Sequence, residues 1–369
     1  MSNKFWKSFS IVLHVLFDDI EIHKNVFTEA NKSGDVELVI LLIEFTKFDV
    51  IVDDNDANCW TYYNSYIAVI DRLLHEDRSK VDPSANNNLA IRWASQNGHI
   101  AVVDRLLQDR RVDPSAANNS AIRMASQNGH IAVVDRLLQD GTGRVDPSAD
   151  NNYAICWASR NGHIAVVDRL LQEKKRVDPS ADNNFAIRLA SHNGHIAVVD
   201  RLLQDRRVDP SDYDNYAIRL ASHNGHITIV DRLLQDRTGR VDPSVDDNFA
   251  IRQASSRGHI AIVNRLLQNR RVDPTVDNNN AIRWASQLGH VAVVDRLLQD
   301  RRVDPSALNN YAIRYASENG HNAVVDRLLR DGRVDRSADR NYIFRLASEN
   351  GHVDVVEKQS CISWFLKLF

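Results

Sequence analysis

Histidine is the residue whose type and spacing first suggest chemistry in this chain of 369 residues. Nine histidines each follow a glycine, at intervals of 31 to 33 residues, and imidazole is a common zinc ligand. Zinc, however, needs its ligand nitrogens about 2.0–2.1 Å from a single ion. Packed helices lie about 8–10 Å apart, so imidazoles repeated once per helix pair would not converge on one metal. We therefore predict a structural role and no metal site for His99, His130, His163, His195, His226, His259, His290, His321 and His352.

Arginine also recurs as a column, which raises the alternative of a phosphate-binding stripe along a nucleic acid. A further basic row, such as Arg110-Arg111, falls at predicted helix C-termini, where cations offset the helix macrodipole. Aspartates accompany the arginines in every repeat, and 46 Lys and Arg against 49 Asp and Glu leave a net charge of only −3. This balance favours structural ion pairs and argues against a nucleic-acid binder. The column comprises Arg92, Arg123, Arg188, Arg219, Arg252, Arg283, Arg314 and Arg345.

Catalysis has little support in the sequence. Acidic residues recur in register, as at Asp104 and Asp135, but a single active site would not need nine copies of its base. No Gly-rich phosphate loop and no Cys-x-x-Cys pair is present. We therefore predict a protein that is not an enzyme and needs no cofactor.

The cysteines and the N-terminus bear on localisation. Cys59, Cys156 and Cys361 are odd in number and far apart, which fits a reducing compartment. The apolar run at 9–17 is weak as a signal peptide because His14 interrupts it and no cleavage site follows. No stretch reaches the length of a membrane span. We expect a cytoplasmic protein, in the host cytoplasm if it is viral, with no membrane association.

Internal repetition dominates the chain. The phrase Val-Asp-Pro-Ser or its Thr variant begins a repeat eight times and holds all eight prolines, while a ninth copy carries Arg336 in place of proline. We number these repeats 1 to 9, and they begin at Val81, Val112, Val145, Val177, Val208, Val241, Val272, Val303 and Val334.

Each repeat predicts two short helices. In repeat 1, Ile91, Ala94, Ser95 and Gly98 lie on one face of a first helix. The preceding run of asparagines at 86–88 predicts an N-cap, and the glycine a left-handed C-terminus. A second helix follows, with an apolar stripe that begins at Ile100. Helices of about nine residues are marginal alone, because isolated helices below about 12–15 residues are unstable in water, so the repeats must stack.

The predicted architecture is an all-α helical-repeat solenoid of about eleven helix-turn-helix units. Residues 1–24 form an N-terminal segment, 25–80 two degenerate repeats, 81–357 nine regular repeats and 358–369 an apolar C-terminal cap. The cap has an alternative interpretation as a short docking or membrane-touching segment. We expect a monomer.

The repeat resembles the ankyrin repeat. Residues 185–195 read Phe-Ala-Ile-Arg-Leu-Ala-Ser-His-Asn-Gly-His and 196–203 read Ile-Ala-Val-Val-Asp-Arg-Leu-Leu, against the family's Thr-Pro-Leu-His-x-Ala-Ala-x-x-Gly-His and x-x-Val-Val-x-x-Leu-Leu. The self-similarity is like that of expanded arrays in large DNA viruses and protists. The resemblance implies a concave protein-binding surface, usually without enzymatic activity. Because Thr-Pro-Leu-His is replaced here, other groups must supply the hydrogen bonds that the family's threonine and histidine make between repeats.

Positions that vary between repeats are the best candidates for binding, because repeats under identical packing demands should agree. Three such columns lie at i, i+4 and i+7 on the first helix, and they are rich in aromatic residues with a polar border. An equally open alternative is that the aromatic side chains simply pack between repeats. We predict a non-catalytic scaffold that binds a protein partner of unknown identity, the alternative being a substrate adaptor of a ubiquitin-ligase-type complex. The candidate binding residues are Trp93, Gln96, Tyr153, Trp157, Phe185, His192, Tyr216, Phe249, Trp284, Tyr311 and Tyr315.

Overall fold

The computed structural model describes residues 82–236 and 239–334, and all the regular structure in these ranges is α-helical. The predicted all-α repeat fold is therefore confirmed. The described residues form two compact units, one ending at Ala181 and the other beginning at Asp182. The predicted segment 1–24, the degenerate repeats at 25–80, nearly all of the ninth repeat and the cap at 358–369 lie outside the described residues.

Repeats 1 to 8 each contribute a first helix and a second helix. The first helices are α1 (Ala85–Gln96), α3 (Ala116–Gln127), α5 (Ala149–Arg160), α7 (Ala181–Asn193), α9 (Asp212–Asn224), α11 (Val245–Ser256), α13 (Val276–Gln287) and α15 (Ala307–Glu318). The second helices are α2 (Ile100–Leu107), α4 (Ile131–Leu138), α6 (Ile164–Gln172), α8 (Ile196–Leu202), α10 (Ile227–Leu234), α12 (Ile260–Leu266), α14 (Val291–Leu298) and α16 (Asn322–Arg330). Within these residues no helix has the length and apolarity needed to cross a membrane.

A short left-handed turn opens every first helix. In α1, Asn86, Asn87 and Asn88 have φ of 52°, 59° and 57°, so the right-handed part of the helix is confined to residues 89–96. Left-handed backbone is unfavourable for L-residues, and Asn and Asp tolerate it best because their short polar side chains can hydrogen-bond locally. The Asn- and Asp-rich run in each repeat therefore selects this turn, where the sequence had predicted only an N-cap.

The third residue of the turn is always asparagine, and it links one repeat to the next. Asn88 is buried, and its Oδ1 accepts a hydrogen bond of 2.7 Å from the N–H of Asp113 in repeat 2. The same bond recurs within the second unit, for example from the Asp304 N–H to Asn279. Asparagine thus supplies part of the hydrogen bonding between repeats that the sequence analysis required.

Apolar columns from both helices build the core of each unit. Ile218 and Ala221 of α9 and Val230 and Leu233 of α10 are fully buried, and equivalent positions are buried in the other described repeats. Within each unit, second helices of successive repeats pack side by side. The small residues of the Ala and Ser columns are also buried, and Ser222 is as buried as the alanine beside it.

The histidine column joins neighbouring repeats. His130 Nε2 lies 3.0 Å from the carbonyl oxygen of Gln96 in the preceding repeat, so its N–H donates across the repeat boundary. The imidazole also packs against a glycine of that preceding repeat. A Cβ added at Gly98, which has φ +78°, would stand 2.5 Å from His130 Nδ1. The Gly-His pair is therefore a contact between repeats.

Ion pairs form another ladder between repeats. In the second helices, Arg136 pairs with Asp104 of the preceding repeat, and Arg265 pairs with Asp231 at 2.6 Å. In the first helices, arginine donates to the left-handed turn of its own repeat, as Arg188 does to the Asp182 carbonyl at 2.8 Å. These contacts support the structural interpretation of the arginine and aspartate columns.

Candidate functional site

The structure places all eleven predicted binding residues outside the buried core. Gln96, His192 and Trp284 are exposed, and the other eight are half-buried. Their side chains project from the first helices, and we call the surface formed by the three variable columns the first-helix face. Neighbouring members meet within a helix, where the Tyr153 and Trp157 rings stack at 5.2 Å and the Tyr311 and Tyr315 rings at 4.0 Å.

The aromatic residues that open the first helices also contact the arginine column. Arg123 of repeat 2 lies 4.9 Å from the ring centre of Tyr153 in repeat 3, and Arg283 of repeat 7 lies 4.9 Å from that of Tyr311 in repeat 8. Cation–π contacts of this kind contribute about 0.5–2 kcal/mol each. The faces of these two rings therefore help to stabilise the stack of repeats, and only the exposed part of each ring can contact a ligand.

Glutamine and tyrosine side chains form the polar border of this face. The Tyr153 hydroxyl donates to Gln127 Oε1 at 2.6 Å, and the Tyr311 hydroxyl donates to Gln287 Oε1 at 2.9 Å. Burial raises the pKa of both phenols, so each remains a neutral hydrogen-bond donor at physiological pH. At these two positions the first-helix face thus presents rings whose hydroxyl groups already have hydrogen-bond partners.

The face is indented at repeats 5 to 7, all within the second unit. A groove of about 730 Å³ lies there between α9, α11 and α13. Its walls consist of His223, Asn224, Arg252, Gln253, Ser256, Arg257, His259, Asn280, Trp284, Leu288 and His290. Of the predicted binding residues, only Trp284 lines this groove.

The groove exists because three positions depart from their columns. Gln253 occupies the column that holds Trp93 and Trp157 elsewhere, and Asn280 occupies the column that holds Tyr216 in the second unit. Ser256 likewise replaces a longer side chain such as His192. These smaller residues interrupt the aromatic ladder and leave space between the helices.

The groove is cationic and partly apolar. The chain places Arg257 and Leu288 where repeats 1 to 5 and 8 have asparagine, and neither position has that amide's hydrogen bond to the preceding repeat, such as Asn128 Nδ2 to the Gln96 carbonyl. Leu288 is 46% exposed and Trp284 is 39% exposed. No Asp or Glu is among the lining residues.

His223 lies on the groove wall in a cationic setting. Its Nδ1 lies 3.1 Å from Gln253 Oε1, and the N–H donates to that oxygen. Burial lowers the pKa of His223, and the nearby charges of Arg257, His192 and His259 lower it further. Within the described part of the chain, no group of three His, Cys, Asp or Glu side chains could hold a metal ion.

The comparison with known families agrees with this architecture. A family model described as "Ankyrin repeats (3 copies)" matches residues 122–214 and 216–309, together about half of the chain. The chain is an ankyrin-repeat protein. A search of curated proteins found no match. Ankyrin repeats are generally protein-interaction modules, and proteins built from them are typically non-enzymatic.

Most of the groove in this ankyrin array was not predicted from the sequence. The candidate residues selected from the variable columns were mostly aromatic, so Gln253 and Asn280 of the same columns were left out. The sequence did contain a signal for the groove. An asparagine precedes the Gly-His pair in most repeats, but Arg257 and then Leu288 replace it in two successive ankyrin repeats. Paired departures in adjacent repeats indicate a local site, because stacking brings them side by side.

Proposed function

We propose that this ankyrin-repeat protein is a non-catalytic, monomeric scaffold that binds a protein partner through its first-helix face in the cytoplasm. The observation that carries the proposal is the row of aromatic side chains along that face, of which Trp284 is exposed and the others are half-buried. Tyr and Trp are enriched at the energetic centres of protein interfaces, since they bury a large area at a low cost in conformational entropy. A ladder of such rings, in which the Tyr153 and Tyr311 hydroxyls are already hydrogen-bonded, matches this chemistry.

The near-balanced charge supports a protein partner rather than a nucleic acid. The arginines along the first helices are engaged by backbone carbonyls, aspartates and aromatic rings of the array itself, as Arg219 is by Asp246 and Phe249. Cations occupied in this way are poorly placed to follow a phosphate backbone, whose binding depends on many free Lys and Arg contacts.

Proximity labelling in the native cell, followed by a binding assay with the purified partner, tests the proposal. We expect the triple variant Trp93→Ala, Trp157→Ala and Trp284→Ala to lose at least about 30-fold in affinity, because an interface tryptophan commonly contributes 2 kcal/mol or more. Circular dichroism establishes that the variant retains its helices.

A matched triple variant at the ends of the second helices provides the control. Gln108→Ala, Gln139→Ala and Gln299→Ala change exposed residues away from the first-helix face and should leave binding unchanged. Equal losses in the two triple variants, or full binding by the folded tryptophan variant, would contradict the proposed binding face.

A further inference from the structure

Repeat 6 carries an unusual charge for this array. Between Val241 and Arg271 it holds three aspartates and five arginines, a net charge of +2, whereas the other repeats from 1 to 8 lie between −1 and +1. Two acids of the repeat pattern are missing, because Asn264 and Asn269 occupy columns that are otherwise mainly aspartate. One base is added, at Arg257. The excess positive charge is therefore local to the repeat at the centre of the groove.

The two guanidinium groups of the groove differ in availability. Arg252 donates to the Asp246 and Asp247 carbonyls and lies 3.9 Å from the Asp277 carboxylate, so the array already uses it. Arg257 is exposed and forms no ion pair with any described residue. Its charge is free to meet a group from outside the chain.

An apolar wall lies opposite this charge. Trp284 and Leu288, one helical turn apart in repeat 7, are the exposed large apolar side chains of the described first helices and their C-terminal caps, apart from Tyr213 and Leu308 in the left-handed turns. Adjacent exposed apolar side chains form a small apolar patch, and apolar patches bordered by polar residues often mark binding sites. The volume of about 730 Å³ is within the range of 300–1,000 Å³ typical of ligand pockets, which suits a few side chains of an extended segment.

We propose that this groove binds an acidic peptide segment of the partner, in which a carboxylate that pairs with Arg257 lies next to an apolar side chain that packs on Trp284 and Leu288. This inference rests on the proposed function and states which kind of segment of the partner the array recognises. Charge complementarity carries it, since the lining has two arginines and no carboxylate, and Arg257 is exposed without an ion pair to a described residue. A nucleic acid fits less well, because repeats 5 and 7 on either side have net charges of −1 and 0.

Selection of random peptides displayed on phage against the immobilised full chain tests the inference. We expect enriched peptides to carry Asp or Glu beside Leu, Phe or Trp. Arg257→Asn should weaken their binding about tenfold, the loss expected for one charge-assisted pair. The matched control is Arg270→Asn, which removes the same charge from an exposed site of the same repeat outside the groove and should change affinity little.

A second variant fills the groove with residues that other repeats carry in the same columns. Gln253→Leu with Asn280→Tyr copies Leu220 and Tyr216, so it should fold, and we expect it to abolish peptide binding. Peptides without acidic residues, equal losses in the two arginine variants, or an oligothymidylate probe that binds through Arg257 more tightly than the peptides would each overturn the inference. Peptides that ignore every groove variant but lose affinity with Trp93→Ala would overturn it while leaving the proposed function intact.

Discussion

At the scale of single residues, the asparagine at the third position of the left-handed turn has two roles, as Asn279 shows. Asn279 tolerates φ of 60°, which most L-residues avoid, and its buried Oδ1 accepts the Asp304 N–H at 2.7 Å. Aspartate could adopt the same backbone, but a buried carboxylate would lose hydration that a neutral amide does not need. The third turn position is accordingly asparagine in all eight described repeats, while the first position varies.

Two serines of repeat 5, one in the buried serine column and one before the left-handed turn, should have opposite effects on stability when replaced by alanine. The Ser222 hydroxyl is fully buried and has no hydrogen-bond partner among the described residues, whereas the Ser211 hydroxyl donates to Asp209 Oδ1 at 2.6 Å. We expect Ser222→Ala to raise the free energy of unfolding by about 1 kcal/mol, because it removes an unsatisfied buried polar group and favours the helix. Ser211→Ala should lower it by about the same amount. Urea denaturation measures both, and a loss of stability in Ser222→Ala would mean that the hydroxyl is satisfied.

Leu308, at the first position of the left-handed turn of repeat 8, has a backbone conformation that leucine disfavours. Leu308 has φ of 52° and is 49% exposed, so it has an unfavourable backbone conformation without full burial in return. We expect Leu308→Asn to stabilise the chain by about 1 kcal/mol, since asparagine adopts this conformation more readily. The reciprocal change at the next position, Asn309→Leu, should be destabilising. Thermal unfolding compares the two, and a lower melting temperature for Leu308→Asn would show that the exposed leucine packs favourably.

At the scale of elements, the sequence predicted the helix pairs and missed the turn before them. Periodicity marks the faces of both helices, as Ile91 and Ala94 do, and glycine marks the end of the first. An Asn-rich run is equally compatible with an N-cap or with left-handed backbone, and left-handed residues usually occur singly. Only the stacked neighbour decides, because Asn88 is fixed by the Asp113 N–H of the next repeat, 25 residues away in sequence.

Substitutions at Asn279 can separate the two contributions of this asparagine, the hydrogen bond to the next repeat and the tolerance of left-handed backbone. Alanine there removes both the hydrogen-bond acceptor and the tolerance for left-handed backbone, and we expect a loss of about 2–3 kcal/mol. Glycine removes only the acceptor and should cost less than alanine. Hydrogen exchange of the Asp304 amide and of α15 reports the local effect, which a global unfolding curve of a repeat array can obscure. Equal effects of Ala and Gly would contradict a backbone contribution from the turn.

At the scale of the whole molecule, the family and the all-helical repeat class could be predicted because the same pattern recurs in every regular repeat. The groove could not be found in that way, because averaging over repeats hides a local departure. Neither Arg257 nor Leu288 indicates a site when its repeat is considered alone. The two residues line one groove because α11 and α13 lie side by side. The structure leaves the aromatic columns half-buried, with contacts to the neighbouring repeat at several positions, and their role in binding stays a prediction.

The described repeats also share a sensitivity to acid. Burial would raise the pKa of Asp242, but hydrogen bonds from the Ser244 hydroxyl and N–H, together with the charge of Arg271, outweigh burial and hold that pKa below its usual 3.8. The pKa values of Asp113, Asp205, Asp209, Asp300 and Asp331 are also lowered. These carboxylates bind protons more tightly in the unfolded chain than in the folded one, so their contribution to stability is present above pH 3.8 and is lost as the pH falls through the lowered values.

Asp242→Asn tests this linkage at one turn of the array. The amide cannot ionise, and it accepts weaker hydrogen bonds from Ser244 than the carboxylate does, so we expect the variant to be less stable than the wild type at pH 7. As the pH falls below 3.8, the wild-type aspartate becomes protonated and the difference in the free energy of unfolding should shrink. Urea denaturation at a series of pH values, with Asp214→Asn as the control at an exposed acid, measures this difference. A difference that stays constant or widens toward low pH would mean that Asp242 does not couple proton binding to folding.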